Sequence, residues 1–569
     1  MSERDVAQVA NQANDQAVEQ AARQAWVSHG EVYTRRWVVE TLLDLSGYAV
    51  ERDLAALHLL EPSAGGGAFL LPAVERLVRS AQLRGRDLSD LEGAVQAWEL
   101  LPATVAELRG RLLTLLAGLD VPTALAQHLA AAWVRQGDFL LAELDDELYG
   151  KVDVVIGNPP YIRIEDLPVD VTAEYRRRWA TMGGRADVYV GFIERCLGLL
   201  APQGKIGFIV ADRWMRNQYG AGLRSMISGG YALDAVWQAH DVDAFEQAVA
   251  AYPAFTVLRR GAQGPVVAAE CYEGFSAEHA AELSAWTLKG DGEVFESPQV
   301  QAYRLPHWFP GSESWPSGTP ARLRLIEHLN DNFRPLHDPE GGTKVSIGVA
   351  TGADKTFITT DTHAAEAERM LPLAMAADIA TGQFTWTGHH LLNPWDEQGD
   401  LVDLDAYPRL RARFEAAGSA LTGRHVAKKA PGSWYRTIDK VHHELTAKPK
   451  LLLQDMKTTI RPVLEPGGYY PHHNLYYVTS DSWDMEVLGG LLLSRIAQAF
   501  IEAYSVRMRG GTLRFQSQYL KRIRVPRQGD IPPDVQERLR QAFRARDVQA
   551  ATTASFEAYR VDEDVLSLD

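Results

Sequence analysis

Short apolar segments that alternate with helical patterns constrain the fold of this chain more than any other feature. Several of these segments end in an acidic residue, and one runs into a glycine-rich turn. Strands that alternate with helices predict a mostly parallel sheet with helices on both faces. Ligands bind such sheets at the carboxyl ends of the strands. The predicted strands are Ala56–Glu61, Gly93–Glu99, Lys151–Ile156, Lys205–Val210 and, as the last of the sheet, Ala254–Leu258.

The turn after the first predicted strand reads LEPSAGGGAFL, residues 60–70. Consecutive glycines between a strand and a helix let the backbone approach a ligand closely. The start of the following helix offers free N–H groups to a carboxylate. The turn suits the methionine end of S-adenosylmethionine or the phosphates of a dinucleotide, although it lacks both the GxGxxG pattern and a Walker lysine. A plain tight turn is the alternative.

Two further acidic residues follow later predicted elements. Glu99 ends the second strand, where a carboxylate can accept hydrogen bonds from both ribose hydroxyls of a nucleoside. A solvated acid at the end of a strand is the alternative. Asp138 and Phe139 lie in the segment GDFL, where the acid can accept from an adenine amine while the ring packs on the base. Aspartate is also common in turns without any ligand.

The third strand ends in the segment DVVIGNPPY, residues 153–161. Two consecutive prolines cannot continue a buried strand, so Pro159 and Pro160 predict a stiff corner. Asn158 places a side-chain carbonyl at this corner, and the backbone carbonyl of Pro159 is the second acceptor. Tyr161 adds a flat face for a π-system. The segment therefore predicts two acceptors and an aromatic surface for one NH2 group.

This arrangement matches the chemistry of adenine methylation. The lone pair of the N6 amine is delocalised into the ring, and two acceptors on its N–H bonds favour a tetrahedral nitrogen that exposes the lone pair. They also stabilise the positive charge that develops on that nitrogen. The base must leave the duplex to be reached, and stacking on an aromatic ring recovers roughly 1–3 kcal/mol. The motif thus predicts transfer of a methyl group to the N6 amine of adenine.

Taken in order, these segments resemble the amino-group DNA methyltransferases of the TaqI/Eco57I type. GEVYTRRWVVETLLD (30–44) resembles the cofactor motif of that family, with Arg35 in place of its usual proline. The resemblance implies a class I methyltransferase (Rossmann-like) α/β domain, S-adenosyl-L-methionine as cofactor, and a C-terminal α+β target recognition domain. The cofactor-binding residues that it implies are Thr34, Glu61, Ser63, Gly65, Gly67, Glu99, Asp138, Phe139 and Asn158.

By the same resemblance, the segment 186–210 helps to shape the pockets for the cofactor and the target base, with Asp187 and Tyr189 at the matching positions. The segment 244–249 would supply a second aromatic near the flipped base, Phe245. GVATGADKTFI, PHHNLYYV and RGGTLRFQSQYLKRIRVP resemble segments of the recognition domain, so the matches cover most of residues 30–527.

The charge distribution permits a nucleic-acid partner despite a net charge of −16. Residues 421–530 carry 17 Lys and Arg against 9 Asp and Glu, a local balance of +8. Phosphate binding needs only a local basic surface. An ordinary solvated charge cluster is the alternative. The residues predicted to contact DNA are Lys428, Lys429, Trp434, Arg436, Arg509, Arg514, Lys521 and Arg522.

The domain boundaries follow from changes in composition. Residues 1–262 are predicted to form the catalytic domain with an N-terminal helix, and residues 263–340 a connecting region that ends in a helix. Residues 341–527 form the recognition domain, and residues 528–569 a C-terminal tail. The apolar run 487–504 is too short to span a membrane comfortably and is interpreted as one buried helix.

We expect a bacterial, cytoplasmic, nucleoid-associated enzyme, because no signal peptide is visible and the two cysteines form no metal-ligand spacing. Adjacent histidines ligate one metal poorly, so no metal site is predicted. The expected partners are double-stranded DNA and a separately encoded restriction endonuclease or defence-system subunit, with no membrane. The alternatives are methylation of RNA or of protein glutamine, and a non-catalytic DNA-binding module.

Overall fold

The computed structural model describes residues 33–240, 242–246, 253–316, 318, 320–454, 456–457, 459–504, 513–514 and 517–562. The chain divides into two compact units, with the boundary between residues 316 and 317.

A ten-stranded sheet organises the first unit. Strands β1 to β5 pair with one another in parallel, β7 runs antiparallel between β5 and β6, β8 is parallel to β6, and β10 is antiparallel to both β8 and β9. The order across the sheet is β3-β2-β1-β4-β5-β7-β6-β8-β10-β9. The strands are β1 Leu59–Glu61, β2 Val95–Glu99, β3 Val134–Gln136, β4 Val152–Gly157, β5 Leu200–Ala211, β6 Tyr231–Gln238, β7 Pro253–Arg260, β8 Val266–Cys271, β9 Val294–Ser297 and β10 Val300–Leu305.

Helices cover this sheet. Every residue of β1 and β2 is buried, as expected for parallel strands enclosed on both faces. The described helices of the unit are α1 Arg36–Leu45, α2 Leu70–Arg84, α3 Pro102–Gly118, α4 Thr123–Trp133, α5 Val169–Arg178, α6 Tyr189–Leu199, α7 Arg213–Arg216, α8 Ala221–Gly230 and α9 Ala277–Lys289. The predicted Rossmann-like fold of a class I methyltransferase is thereby confirmed.

The strand order reverses between β1 and β4. From β1 the chain builds outward through β2 to β3, then returns to add β4 and β5 on the other side. Such a reversal leaves a crevice at the carboxyl ends of the two central strands. The glycine-rich turn follows β1 and the NPPY segment follows β4, so the topology brings both to this crevice.

The interpretation of 254–258 as the last strand is wrong. Three more strands, β8 to β10, continue the sheet through the first part of the predicted connecting region. Val266, Val267 and Ala302 are buried on these strands. The segment rich in Pro, Ser and Trp follows them, and the predicted helix near 321–332 is present as α10, Pro320–Asn332.

The second unit holds two four-stranded sheets and two paired short ribbons. The sheets have the orders β12-β20-β16-β18 and β13-β15-β14-β19, and the ribbons pair β11 with β22 and β17 with β21. The strands are β11 Arg334–Pro335, β12 Thr343–Ile347, β13 Ile358–Thr359, β14 Met370–Ala374, β15 His390–Leu392, β16 Lys450–Gln454, β17 Met456–Lys457, β18 Val463–Glu465, β19 Tyr470–Pro471, β20 Leu475–Ser480, β21 Leu513–Arg514 and β22 Arg524–Val525. The helices after α10 are α11 Asp354–Phe357, α12 Pro408–Ala417, α13 Ser419–Thr422, α14 His425–Lys429, α15 Glu444–Ala447, α16 Met485–Leu493, α17 Arg495–Tyr504, α18 Ser517–Arg522, α19 Pro533–Ala545 and α20 Val548–Tyr559.

The apolar run 487–504 forms two helices rather than the predicted single one. Ser494 has an extended backbone between α16 and α17, and the two helices bend by 62° there. The hydroxyl of Ser494 donates to the carbonyl of Leu491 and accepts from the amide of Ala497, so it links the two helix ends. In the described part of the chain, no single helix is long and apolar enough to cross a membrane, and this bent pair meets the criterion only by combined length and composition.

Candidate active site

The glycine-rich turn leaves β1 in a conformation that only glycine adopts easily. Gly65 and Gly67 have φ values of +49° and +89°. A Cβ atom on Gly67 would lie 2.5 Å from Cδ1 of Leu108 in α3, so the turn is packed closely on that side. The amide of Ala64 donates to the carbonyl of Trp98 (2.8 Å), which ties the turn to β2. The turn is therefore held at a fixed distance from the ends of both strands.

Glu61, the last residue of β1, is 1% exposed. Its Oε2 is buried and has no hydrogen-bond partner among the described residues. Burial and the charge of Glu99 raise the pKa of its carboxyl well above the usual value, and only the backbone amide of Leu70 opposes this rise. A carboxylate in such a place favours a cationic ligand, since a positive charge would lower the cost of its ionisation.

Glu99, the last residue of β2, shapes the opposite side of the same pocket. Its two oxygens accept from the amides of Gly65 (2.9 Å) and Leu101 (2.8 Å). The carboxylate is thus fixed between the glycine turn and the start of α3. Residues on several strand ends line the pocket that results: Tyr33, Thr34, Glu61, Ser63, Ala64, Gly65, Gly66, Ala68, Phe69, Glu99, Leu101, Thr104, Asn158 and Pro160.

Asn158 follows β4 and lies at the wall of this pocket. Its Nδ2 donates to Oγ1 of Thr34 at 3.2 Å, and Thr34 is itself buried. This bond sets the orientation of the amide and directs Oδ1 to the opposite side. Pro159 is buried and Pro160 is half-buried behind it. The structure therefore brings the predicted acceptor residue together with Glu61, Glu99 and the glycine turn in one pocket.

Three aromatic side chains cluster beyond Asn158. The ring centroid of Tyr161 lies 6.4 Å from that of Phe245, with the planes at 80°, and 6.3 Å from that of Tyr189. The Tyr161 hydroxyl donates to the carbonyl of Ile209 at the end of β5 (3.1 Å), and burial raises its pKa. The ring is thus fixed at the carboxyl edge of the sheet, with Phe245 beside it.

Asp187 acts on this cluster through Tyr219, which the sequence did not indicate. The Tyr219 hydroxyl donates to Oδ2 of Asp187 (2.9 Å) and lies 3.1 Å from the hydroxyl of Tyr189. Burial raises the pKa of Asp187, while the Tyr219 bond opposes the rise. Asp187 therefore belongs to a hydrogen-bonded chain that supports Tyr189.

Asp138 and Phe139 lie outside the residues that line the pocket. Asp138 Oδ1 accepts from the amide of Leu140 (2.9 Å), and its Oδ2 accepts from the hydroxyl of Tyr175 (2.8 Å). The Phe139 ring is buried and stacks on Phe192 at 5.6 Å. The GDF segment is nevertheless adjacent to the site, because the amide of Gly137 donates to the backbone carbonyl of Glu99.

The predicted DNA-contacting residues differ in exposure. Lys428 and Lys429 are exposed on α14, whereas Trp434 is half-buried against the core of the second unit. The Arg436 guanidinium lies 5.6 Å from the ring centroid of Trp395.

The four remaining predicted contacts fall between residues 509 and 522. Lys521 and Arg522 are half-buried at the end of α18, with the Arg522 guanidinium 4.5 Å from the ring of Tyr504. The backbone of Arg514 pairs in β21, and its side chain is not described. Arg509 lies outside the described residues.

One histidine pair has neighbours that could bind a metal. Asp354, His472 and His473 offer ligand atoms within 4.8 Å of one another, and Nε2 of His472 lies 3.2 Å from Oδ2 of Asp354. An Asp–His hydrogen bond accounts for this contact without an ion. The second pair of adjacent histidines is His442 and His443. Nε2 of His443 accepts a hydrogen bond from Nδ2 of Asn393 at 2.9 Å. The prediction of no metal site stays a prediction.

The fold and this pocket define a class I methyltransferase that uses S-adenosyl-L-methionine. A model of the family "Eco57I restriction-modification methylase" matches residues 125–245. The chain is 44% identical over 540 residues to the Type II methyltransferase M.PaeR7I of Pseudomonas aeruginosa. This alignment covers 94% of this chain and 92% of that protein. It is 40% identical to the Type II methyltransferase M.XhoI of Xanthomonas vasicola, covering 94% and 97%.

These similarities place the chain in a family. It belongs to the Type II DNA methyltransferases of restriction-modification systems, of the Eco57I type. The Type IIL restriction-modification enzyme MmeI, solved in complex with DNA, shares the fold with a TM-score of 0.51 and 12% identity over 93% of this chain and 70% of that one.

The residues of the pocket fit the cofactor of this family. S-adenosyl-L-methionine carries a sulfonium and an ammonium group, and the pocket presents two carboxylates, Glu61 and Glu99, of which the first has a buried oxygen without a partner among the described residues. Gly65 and Gly66 of the turn line the same pocket and present backbone without a side chain there. These are the features that a nucleoside with a cationic tail requires.

Proposed function

We propose that this enzyme methylates the N6 amine of adenine at a specific site in double-stranded DNA. The observation that carries the proposal is the position of Asn158, which lines the cofactor pocket and is oriented by Thr34. Tyr161 follows Asn158 by three residues, and its ring centroid lies 6.4 Å from that of Phe245.

The cofactor supplies an electrophilic methyl group on its sulfonium when it is bound. Asn158 Oδ1 and the Pro159 carbonyl accept the two N–H bonds of the amine, which exposes the nitrogen lone pair to that methyl. Glu61 and Glu99 would hold the cofactor that supplies the methyl group, Asn158 and Pro159 would hold the amine that accepts it, and the proton that the amine loses would pass to water. The two acceptors stabilise the positive charge that develops on nitrogen, so no strong base is needed before transfer.

Tyr161 and Phe245 receive the adenine after it leaves the duplex. Their rings meet nearly at right angles, so a base that stacks on one ring would contact the edge of the other. Stacking of roughly 1–3 kcal/mol per base offsets part of the energy of unstacking. Asp187 supports this pocket through Tyr219 and Tyr189 rather than by contact with the base.

Glu61 and the glycine turn hold the methionine part of the cofactor, and Glu99 holds the ribose. Oδ2 of Asp138 accepts a hydrogen bond from the Tyr175 hydroxyl, and this bond must break before Oδ2 can accept one from the adenine of the cofactor. We retain Asp138 as a cofactor residue because its segment is bonded to Glu99.

The second unit reads the DNA. Exposed Lys428 and Lys429 are suited to phosphate contacts, which set the register on the duplex without reading the sequence. The enzyme acts in the bacterial cytoplasm, beside a separately encoded restriction endonuclease or another subunit of a defence system.

Transfer of labelled methyl groups from S-adenosylmethionine to duplex DNA tests this function. Asn158→Ala should keep cofactor affinity and lose kcat by about 10²–10³, the usual effect of removing one group that stabilises transition-state charge. Asn332→Ala is the matched control, because Asn332 is exposed on α10 and bonds only within its helix in the described contacts. Unchanged activity of Asn158→Ala, or label found on RNA or protein instead of DNA, would contradict the proposal.

A further inference from the structure

The loop that carries Phe245 is bonded to the segment just before α1. Thr34 and Phe245 form an antiparallel bridge, and the amide of Glu246 donates to the carbonyl of Tyr33 at 2.9 Å. Residues 33–35 and 243–246 therefore pair like two short strands, although they are about 210 residues apart in sequence.

Arg35 contributes three of the bonds in this pairing. Its backbone amide donates to the carbonyl of Ala244 (3.1 Å), and its Nε donates to the carbonyl of Phe245 (3.1 Å). Its Nη2 bonds Oδ2 of Asp243 at 2.5 Å. One side chain and one amide thus hold the backbone on both sides of the Phe245 ring.

The same short segment also orients the acceptor. Thr34, the neighbour of Arg35, accepts from Asn158 and lines the cofactor pocket with Tyr33. The position of the aromatic ring and the orientation of the amide therefore depend on one stretch of backbone.

We propose that Arg35 is a positioning residue for the target base, because its bonds to Asp243, Ala244 and Phe245 fix the backbone that carries the Phe245 ring beside Tyr161. This inference rests on the proposed function. It assigns Arg35 no contact with the cofactor, and Arg35 is not among the residues that line the cofactor pocket. Loss of its bonds should impair the handling of the base and leave cofactor binding intact.

Proline is the most informative replacement at this position. Arg35 precedes α1 as its N-cap, with φ −64° and ψ 144°, values that proline adopts without strain. The helix uses the carbonyl of Arg35, which accepts from Val38, and not its amide. Arg35→Pro therefore removes the guanidinium and the N–H while the backbone keeps its path.

The experiment compares Arg35→Pro, Arg35→Ala and a control, Arg36→Ala. Arg36 carries the same charge, but its side chain pairs with Glu40 and Glu75 on the helices and not with Asp243 or the Phe245 carbonyl. Three quantities are measured for each protein: cofactor affinity by calorimetry, kcat and KM on duplex DNA, and the fluorescence of 2-aminopurine placed at the methylated adenine of a duplex whose site is known from sequencing modified DNA.

We expect the two Arg35 variants to lose activity on duplex DNA to different extents and to keep their affinity for the cofactor. Arg35→Pro should lower kcat/KM for the duplex about tenfold or more and Arg35→Ala by less, because alanine keeps the amide bond. Both should change the 2-aminopurine signal of the complex and keep the cofactor Kd within about twofold of wild type. Arg36→Ala should match wild type throughout.

Two outcomes would overturn the inference alone. One is a wild-type 2-aminopurine signal and kcat in Arg35→Pro. The other is a parallel loss of cofactor affinity and DNA activity in Arg35→Ala, the variant that retains the backbone bond, since a parallel loss would mean general damage to the fold. A wild-type enzyme that neither methylates adenine nor changes the 2-aminopurine signal would instead refute the proposed function.

Discussion

Replacing Glu61 with glutamine should stabilise the cofactor-free enzyme and weaken cofactor binding at the same time. The Glu61 side chain is 1% exposed, its Oε2 has no partner among the described residues, and Glu99 adds a like charge. A buried polar atom without a partner costs about 1–3 kcal/mol, and more when it is charged. Glutamine keeps the shape, removes the charge and can donate its amide to the carboxylate of Glu99.

We expect Glu61→Gln to raise the free energy of unfolding by about 1 kcal/mol near pH 8, which corresponds to a rise in Tm of about 2–4 °C. The cofactor Kd should increase at least about tenfold, the equivalent of about 1.4 kcal/mol. The relevant transition is the one that cofactor shifts in scanning calorimetry of the wild type. Glu107→Gln is the control, because Glu107 is exposed on α3 and pairs only at the surface in the described contacts.

The difference in stability should depend on pH. The pKa of Glu61 is higher in the folded protein than in the unfolded chain, so its contribution to stability is full at low pH and is lost as the pH rises through the folded pKa. The Tm gap between Glu61→Gln and wild type should therefore widen from pH 5 to pH 8. A variant that is less stable than wild type without cofactor, or that binds cofactor normally, would refute this account of the pocket.

Substitutions at three other sites test separate parts of the molecule. Lys450 and Glu465 form a fully buried ion pair, so Lys450→Met should destabilise the second unit by about 3–5 kcal/mol in denaturant unfolding, and adding Glu465→Leu should restore most of it. Gly67→Ala should lower Tm and weaken cofactor binding, because its Cβ would lie 2.5 Å from Leu108 at a φ of +89°; wild-type affinity would contradict the close fit. Tyr161→Phe should keep kcat within about threefold, whereas Tyr161→Ala should lose the stacking energy of roughly 1–3 kcal/mol; equal activities of the two would exclude stacking on this ring.

The central sheet could be predicted from sequence because its signals are local. Parallel strands buried on both faces are continuous apolar runs, and the acid or glycine that ends several of them marks the edge where ligands bind. Glu61, Glu99 and Asn158 were found in this way and share one pocket. The strands β8 to β10 were missed because β9 and β10 mix polar and apolar residues and because all three follow β7, which is antiparallel and ends the parallel order.

Contacts between distant segments could not be predicted. The hydroxyl of Tyr219 joins Asp187 to Tyr189, and nothing in the sequence around Tyr219 marks it. Arg35 was visible only as a departure from a family pattern, and its bonds to Ala244 and Phe245 depend on the tertiary fold. The break at Ser494 could not be predicted because the apolar composition continues on both sides of it. The Ser494 hydroxyl bonds to both helix ends, and these bonds are visible only in the structure.

The chemical identity of the product tests the central claim most directly. Duplex DNA methylated by the purified enzyme with labelled S-adenosylmethionine is digested to nucleosides, which are separated and identified by mass spectrometry. We predict that all of the label is in N6-methyl-2′-deoxyadenosine and that Asn158→Ala forms this product about 10²–10³ times more slowly than the wild type. Label in a methylated cytosine, or the N6-methyl product formed by Asn158→Ala at the wild-type rate, would contradict the claim that Asn158 and Pro159 hold the amine of adenine for transfer.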